Sequence, residues 1–165
     1  MDLNQLFTDY TDSAFRLETL PVYNVSGEQK ALAFFNAHGI LPDGHNKAWV
    51  SEIRHNVASG KTMKRLRLLT LPLTMYEQFE LATYKTNREA GEQIRVLNHS
   101  EFKPVQDFWA FDNEWIARMI YDDTGAWHGA EVSKMTDEDR TMVNKWFELW
   151  EKAPDVRSSH TEPAT

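Results

Sequence analysis

Apolar and polar positions along this chain change period repeatedly, and each change marks a boundary between a short strand and a helix. Asn4–Tyr10 is a short helical candidate. Ala14-Phe15-Arg16-Leu17-Glu18-Thr19-Leu20 then alternates apolar with polar residues, as a half-buried strand does, and Tyr23 and Val25 extend it past Pro21. Ser26, with Gln29 three residues on, reads as a capping box that opens a helix with Ala31, Leu32, Phe34 and Phe35 as its apolar surface and Gly39 as its end. Trp49, Ile53 and Val57 recur at four-residue intervals and put one stripe on a further helix, stopped near Gly60.

The stretch from Lys64 to Val132 is the most tightly punctuated. Lys64–Leu71 is a strand closed by Pro72, and Thr74 with Glu77 caps the helix Met75–Asn87, which Gly91 terminates. Gln93–Leu97, Asp107–Phe111, Trp115–Tyr121 and Ala126–Val132 read as strands. The turn residues Asp122-Asp123-Thr124-Gly125 make the last two an antiparallel hairpin. Thr136 and Asp139 open a final helix whose Met142, Trp146, Leu149 and Trp150 are too apolar to stay bare, and the domain's own sheet is expected to cover them. This order predicts one α/β domain over residues 1–152, a mixed central sheet with flanking helices, followed by a flexible polar tail over 153–165. No repeat, heptad series or low-complexity insert interrupts it.

Composition narrows the function classes. With 165 residues and 41% hydrophobic content, including six Trp and nine Phe, the chain can bury a core without cross-links. The absence of cysteine removes disulfides, thiolate zinc sites and cysteine nucleophiles. Asp2, Asp9, Asp12, Arg16 and Glu18 interrupt the first twenty residues, so neither a signal peptide nor a membrane span is expected, and a cytoplasmic location follows. A net charge of −7 argues against direct nucleic-acid binding; Lys61, Lys64, Arg65 and Arg67 form the densest basic cluster.

Candidate chemistry is sparse. Arg65 and Arg67 share one strand face, and with Arg95 from a later strand they form a set that can converge on a phosphate or carboxylate. The competing reading pairs them with Glu77, Glu80, Glu92, Asp107 or Asp112. Phe108, Trp109, Phe111 and Trp115 can stack a base or sugar, but alternation places Trp109 and Phe111 on one face and Phe108 on the other, as in a central strand packed on both sides. Asp107 and Asp112 project to opposite faces and make a poor acid/base pair, leaving Asp112 a turn-stabilising role. The sequence contains no His-Glu-x-x-His, glycine-rich phosphate loop or Gly-x-Ser-x-Gly elbow, and no cofactor or metal is expected.

From Trp49 through Ala130 the chain resembles an uncharacterised family of small actinobacterial proteins. The phrases that carry the resemblance are Arg65-Leu66-Arg67, Pro72-Leu73-Thr74-x-Tyr76, Gly91-Glu92-x-Ile94-Arg95 and Asp107-Phe108-Trp109-x-Phe111-Asp112. That resemblance implies an accessory role beside a helix-turn-helix regulatory protein. The element order is also similar to one half of a phospholipase-D-like fold, whose members use a His-x-Lys pair followed by an acid. His45-Asn46-Lys47 with Glu52 has that spacing but precedes a helix, whereas the family motif sits beside the central strands. The reading reached is a non-catalytic regulatory or ligand-sensing module, binding an anionic small molecule or a protein partner through Arg65, Arg67, Tyr76, Arg95, Asp107 and Trp109. In it the arginines hold the anion, Tyr76 and Trp109 bound the pocket, and Asp107 orients an arginine. A phosphodiesterase using His45 and Lys47 is the alternative.

Overall fold

The computed structural model describes residues 1–156, and among them five helices pack on a six-stranded mixed sheet. The strands are β1 (Ser13–Glu18), β2 (Thr62–Leu69), β3 (Gln93–Asn98), β4 (Phe108–Phe111), β5 (Trp115–Tyr121) and β6 (Trp127–Lys134), in the spatial order β3-β2-β1-β4-β5-β6. β1, β2 and β3 are parallel, β4 runs antiparallel beside β1, and β4-β5-β6 form an antiparallel meander. The helices are α1 (Leu3–Asp9), α2 (Gln29–His38), α3 (Lys47–Ala58), α4 (Met75–Ala90) and α5 (Asp137–Lys152).

Register divides the sheet into two unlike faces. Phe15 and Leu17 lie level with Lys64 and Leu66 on β2 and with Ala110 and Phe108 on β4. Leu17, Leu66, Leu68, Phe108 and Ile116 meet Val143, Trp146 and Trp150 of α5, so the domain's own sheet covers the apolar stripe of the last helix. On the opposite face Ala14, Arg16 and Glu18 lie level with Met63, Arg65 and Arg67, under the crossover helices α3 and α4. α1 packs on this face too, where Phe7 meets Trp109 and Phe111 edge-on at 4.9 and 5.1 Å. Trp109 and Phe111 therefore serve as core, with Phe108 buried behind them.

The helix ends follow their caps. Thr74 and Thr136 each accept a hydrogen bond from the backbone N–H three residues on, while Glu77 and Asp139 reach back to the cap N–H groups. Asp112 stabilises a turn as expected, though a distant one: its carboxylate accepts the backbone N–H groups of Thr11, Asp12 and Ser13 and fixes the entry to β1.

Three expectations are corrected. β1 ends at Glu18, and beyond it Asn24 alone makes an isolated bridge, to Ala126. Ser26 caps nothing: Gly27 disfavours an α-helical first turn, Ser26–Glu28 form a 3₁₀ turn, and the Gln29 amide instead donates to Asn24 and the Val25 carbonyl. Ala153 and Val156 are buried, with Val156 set among Leu69, Tyr84, Ile94 and Val96, and the Pro154 carbonyl accepts the Val96 N–H at 3.2 Å. Residues 153–156 thus form a strap across the β3 edge rather than a tail, because an apolar gap and an open strand edge are there to receive them. The rest of that expectation, residues 157–165, lies outside the described residues.

Candidate functional site

Alternation along β1 and β2 brings Arg16, Glu18, Arg65 and Arg67 onto one buried face, toward the C-terminal ends of these strands. A guanidinium taken out of water requires carboxylates and carbonyls around it. The fold supplies them from three directions. Arg65 pairs with Glu18 at 3.0 Å and, through Nε, with Glu92 at 2.8 Å; Glu92 follows α4 and also accepts from Asn87 at 3.1 Å. Arg67, with no exposed surface, gives Nη2 to Glu80 of α4 at 2.6 Å and Nη1 to the Leu68 carbonyl at 3.1 Å. Arg16 lies 3.3 Å from Asp107 and donates to the Tyr121 hydroxyl at 3.0 Å.

Hydroxyls complete the cluster. Tyr84 donates to Glu18, Tyr23 donates to Asp107, and Thr19 gives both its backbone N–H and its hydroxyl to Asp107. Aromatic rings lie against the cations: Trp109 beneath Arg16 and Arg65 at 5.9 and 5.7 Å, and Tyr23 against Arg67 at 5.4 Å. Burial opposes ionisation of Glu18, yet the surrounding Arg65, Arg16 and Arg67 hold its pKa down to about 2. For Glu80 burial wins, and the nearby Glu18 adds to it, so its pKa is pushed up to about 8 despite Arg67. Burial and neighbouring carboxyls also hold the Tyr23 and Tyr84 hydroxyls well above their ordinary range.

The expected site residues separate into two groups. Arg65, Arg67, Asp107 and Trp109 lie together in the cluster. Asp107 does orient an arginine, but it is Arg16. Tyr76 lies just outside, donating to Glu28 at 2.6 Å and packing on Tyr23 and Phe79. Arg95 does not join them. Its register partner is Leu66, which puts its side chain on the α5 face, where it donates to the carbonyls of Trp150 and Glu151 at 3.0 and 2.6 Å with its guanidinium 4.1 Å from the Trp150 ring. The expected three-arginine anion clamp is therefore not assembled: Arg95 caps the end of α5, and Arg65 and Arg67 are engaged by internal acids. Arg16, Glu18, Glu80 and Tyr84 were absent from the expected set. Their signal was the polar half of an alternating strand, Arg16 and Glu18, beside a second strand of the same pattern.

Above the cluster, the segment after β1 and the segment after β2 form a roof. The Thr74 hydroxyl donates to the Pro21 carbonyl at 2.7 Å, and the Asn24 N–H donates to the Gly125 carbonyl at 2.9 Å. Gly125 has φ of 84° and a Cβ there would fall 2.4 Å from the Val22 carbonyl oxygen, so only glycine permits this approach. The exposed side chains of Val22, Val25, Leu71, Met75 and Trp127 lie on or next to these tied segments, and Phe34 and Ile40 are exposed on α2 and just after it. His45 rests its ring 5.2 Å from Phe79, and burial lowers its pKa, while Lys47 is exposed on the first turn of α3. Among the described residues no His, Asp and Glu grouping has the arrangement of a metal site, and no helix is long and apolar enough to cross a membrane.

Residues 1–159 match a family model described as a domain of unknown function, DUF6879, and the chain belongs to that family. No curated protein matches it.

Proposed function

We propose that the protein is a non-catalytic regulatory module that binds a protein partner across its roof. The observation that carries this reading is where its exposed apolar side chains lie. Among the described residues nine large hydrophobics are exposed, and seven of them, Val22, Val25, Phe34, Ile40, Leu71, Met75 and Trp127, belong to the roof and α2 region. Apolar surface gathered in one place, with Asp122, Asp123 and Asp43 beside it in the chain, suits a partner presenting an apolar face flanked by Lys and Arg. A basic helix-turn-helix regulator, the partner class that the sequence resemblance implies, has that character, and the chain's charge of −7 favours its approach. An anionic small molecule has less support, because Arg65 and Arg67 already face carboxyls at 3.0 Å or closer.

The test uses the tagged full chain in its source cells. Wild type is expected to retain one partner in constant ratio, while the double variant Leu71→Asp/Trp127→Asp, which stays folded because both side chains are exposed, loses it. His45→Ala is expected to retain the partner, and phosphodiester turnover abolished by His45→Ala would replace this reading with the enzymatic one.

A further inference from the structure

We infer that Glu80 holds a proton at neutral pH and that releasing it on the alkaline side is a switch built into the fold, loosening α4 and the roof above it from the sheet. The Tyr84 hydroxyl lies between Glu18 Oε1, its close partner, and Glu80 Oε2 at 3.4 Å, and it has one hydrogen to give. Given to Glu18, it leaves two oxygen atoms facing each other, Tyr84 Oη and Glu80 Oε2. A proton on Glu80 Oε2 turns that opposition into a donor and an acceptor. The other oxygen, Oε1, remains free to accept from Arg67 Nη2 at 2.6 Å.

Charge count points the same way. Among the described residues the cluster sets Glu18, Glu77, Glu80, Glu92 and Asp107 against Arg16, Arg65 and Arg67, two more carboxyls than guanidiniums, all buried. The groups facing Glu80 are Glu18 from β1, Arg65 and Arg67 from β2, and Tyr76 and Tyr84 from α4 itself. Glu77 makes its hydrogen bonds away from Tyr84, its two oxygens accepting from Thr70 and from the Thr74 N–H. Glu18 is held ionised by its three arginines, so the proton falls to Glu80. Ionising Glu80 sets a second negative charge beside Glu18 across the Tyr84 hydroxyl. The helix that would recoil carries Tyr76 and Phe79, on which the roof and α2 rest through Tyr23 and Phe35 at 5.9 and 5.8 Å. This proton belongs to the free protein, whether or not the roof binds a partner.

Infrared spectroscopy of the wild-type chain decides it. An un-ionised carboxylic acid band is expected at neutral pH, disappearing as pH rises through about 8, and this step through about 8 is expected to be missing from Glu80→Gln. The band is expected to persist in Glu28→Gln, the control for the other carboxyl whose pKa burial raises. In thermal melts the wild type should lose about 5 °C between about pH 6 and pH 9, and Glu80→Gln should be flat across that window. A wild type with no such band at neutral pH, a band lost in Glu28→Gln but kept in Glu80→Gln, or a Glu80→Gln melt that keeps the wild-type slope would each overturn the inference. Should Glu80→Gln fail to fold, the wild-type titration still decides.

Discussion

The two faces of this sheet are made by the same strands and solve opposite problems. Under α5, Phe15, Leu17, Leu66, Phe108 and Trp146 exclude water by contact alone, and each side chain is stabilised by the area it removes from solvent. Under α3 and α4, the alternate residues of the same strands are Arg16, Glu18, Arg65 and Arg67, and each is tolerable only because specific partners reach it from other elements. An apolar core degrades gradually when atoms are removed. A buried charge network fails at once when one member goes, since the remaining members lose their only compensation.

Arg67→Ala is expected to have the largest effect on the charged face. It strands Glu80 and removes one of the three cations around Glu18, and should cost about 3–5 kcal/mol in urea unfolding. The double change Arg67→Met/Glu80→Leu should cost less than Arg67→Met alone, because hydrogen-bond partners removed together leave neither one buried and unsatisfied. Equal or greater cost for the double change would show that the network contributes net stability. On the apolar face Trp146→Ala should cost about 3–4 kcal/mol, toward the lower part of the range for large aromatics since the ring edge touches solvent. A protein of near-wild-type stability and altered mass in light scattering would mean that a second chain, not the sheet, covers α5.

Acid separates the faces by a different route. The folded pKa of Glu18 lies below its ordinary value, so its contribution is present above about 4.5 and is lost as pH falls toward about 2. Stability should decline by roughly 2–3 kcal/mol over that range, and Trp146→Ala should show the same decline from a lower starting point. The smallest expected effect is Arg95→Ala. Removing the cation at the C-terminal end of α5 should cost about 1–2 kcal/mol and leave the acid and alkaline limbs unchanged, because Arg95 lies on the far face from Glu18 and Glu80.

Elements bounded by local chemistry were legible in the sequence. Thr74 with Glu77, Thr136 with Asp139, Gly39, Pro72 and Gly91 act within a few residues of themselves, and the helices and strands that they delimit lie where the pattern puts them. Alternation also gave the shared face of Arg65 and Arg67, and the opposed faces of Trp109 and Phe108. What stayed hidden depends on partners far along the chain. Arg95 alternates within β3 as Arg65 does within β2, but their relative facing is set by register between strands, which pairs Arg95 with Leu66. Arg16 and Glu18 look like the solvent side of a half-buried strand until distant residues reach them, Asp107 and Tyr121 for Arg16 and Tyr84 of α4 for Glu18. Residues 153–156, Ala-Pro-Asp-Val, read as the start of a polar tail, and only the open edge of β3 with the apolar gap beside it explains their order.

That strap also governs how copies of the molecule can meet. With Pro154 bonded to Val96 and Asp155 bridged to Arg95, one border of the sheet is already taken, whereas β6 at the other border has no neighbouring strand among the described residues. A particle with one open border can join a like particle once and then has none left to offer. Strand-to-strand self-association therefore ends at a closed pair, and unbounded stacking into fibrils requires the strap to be pulled away first.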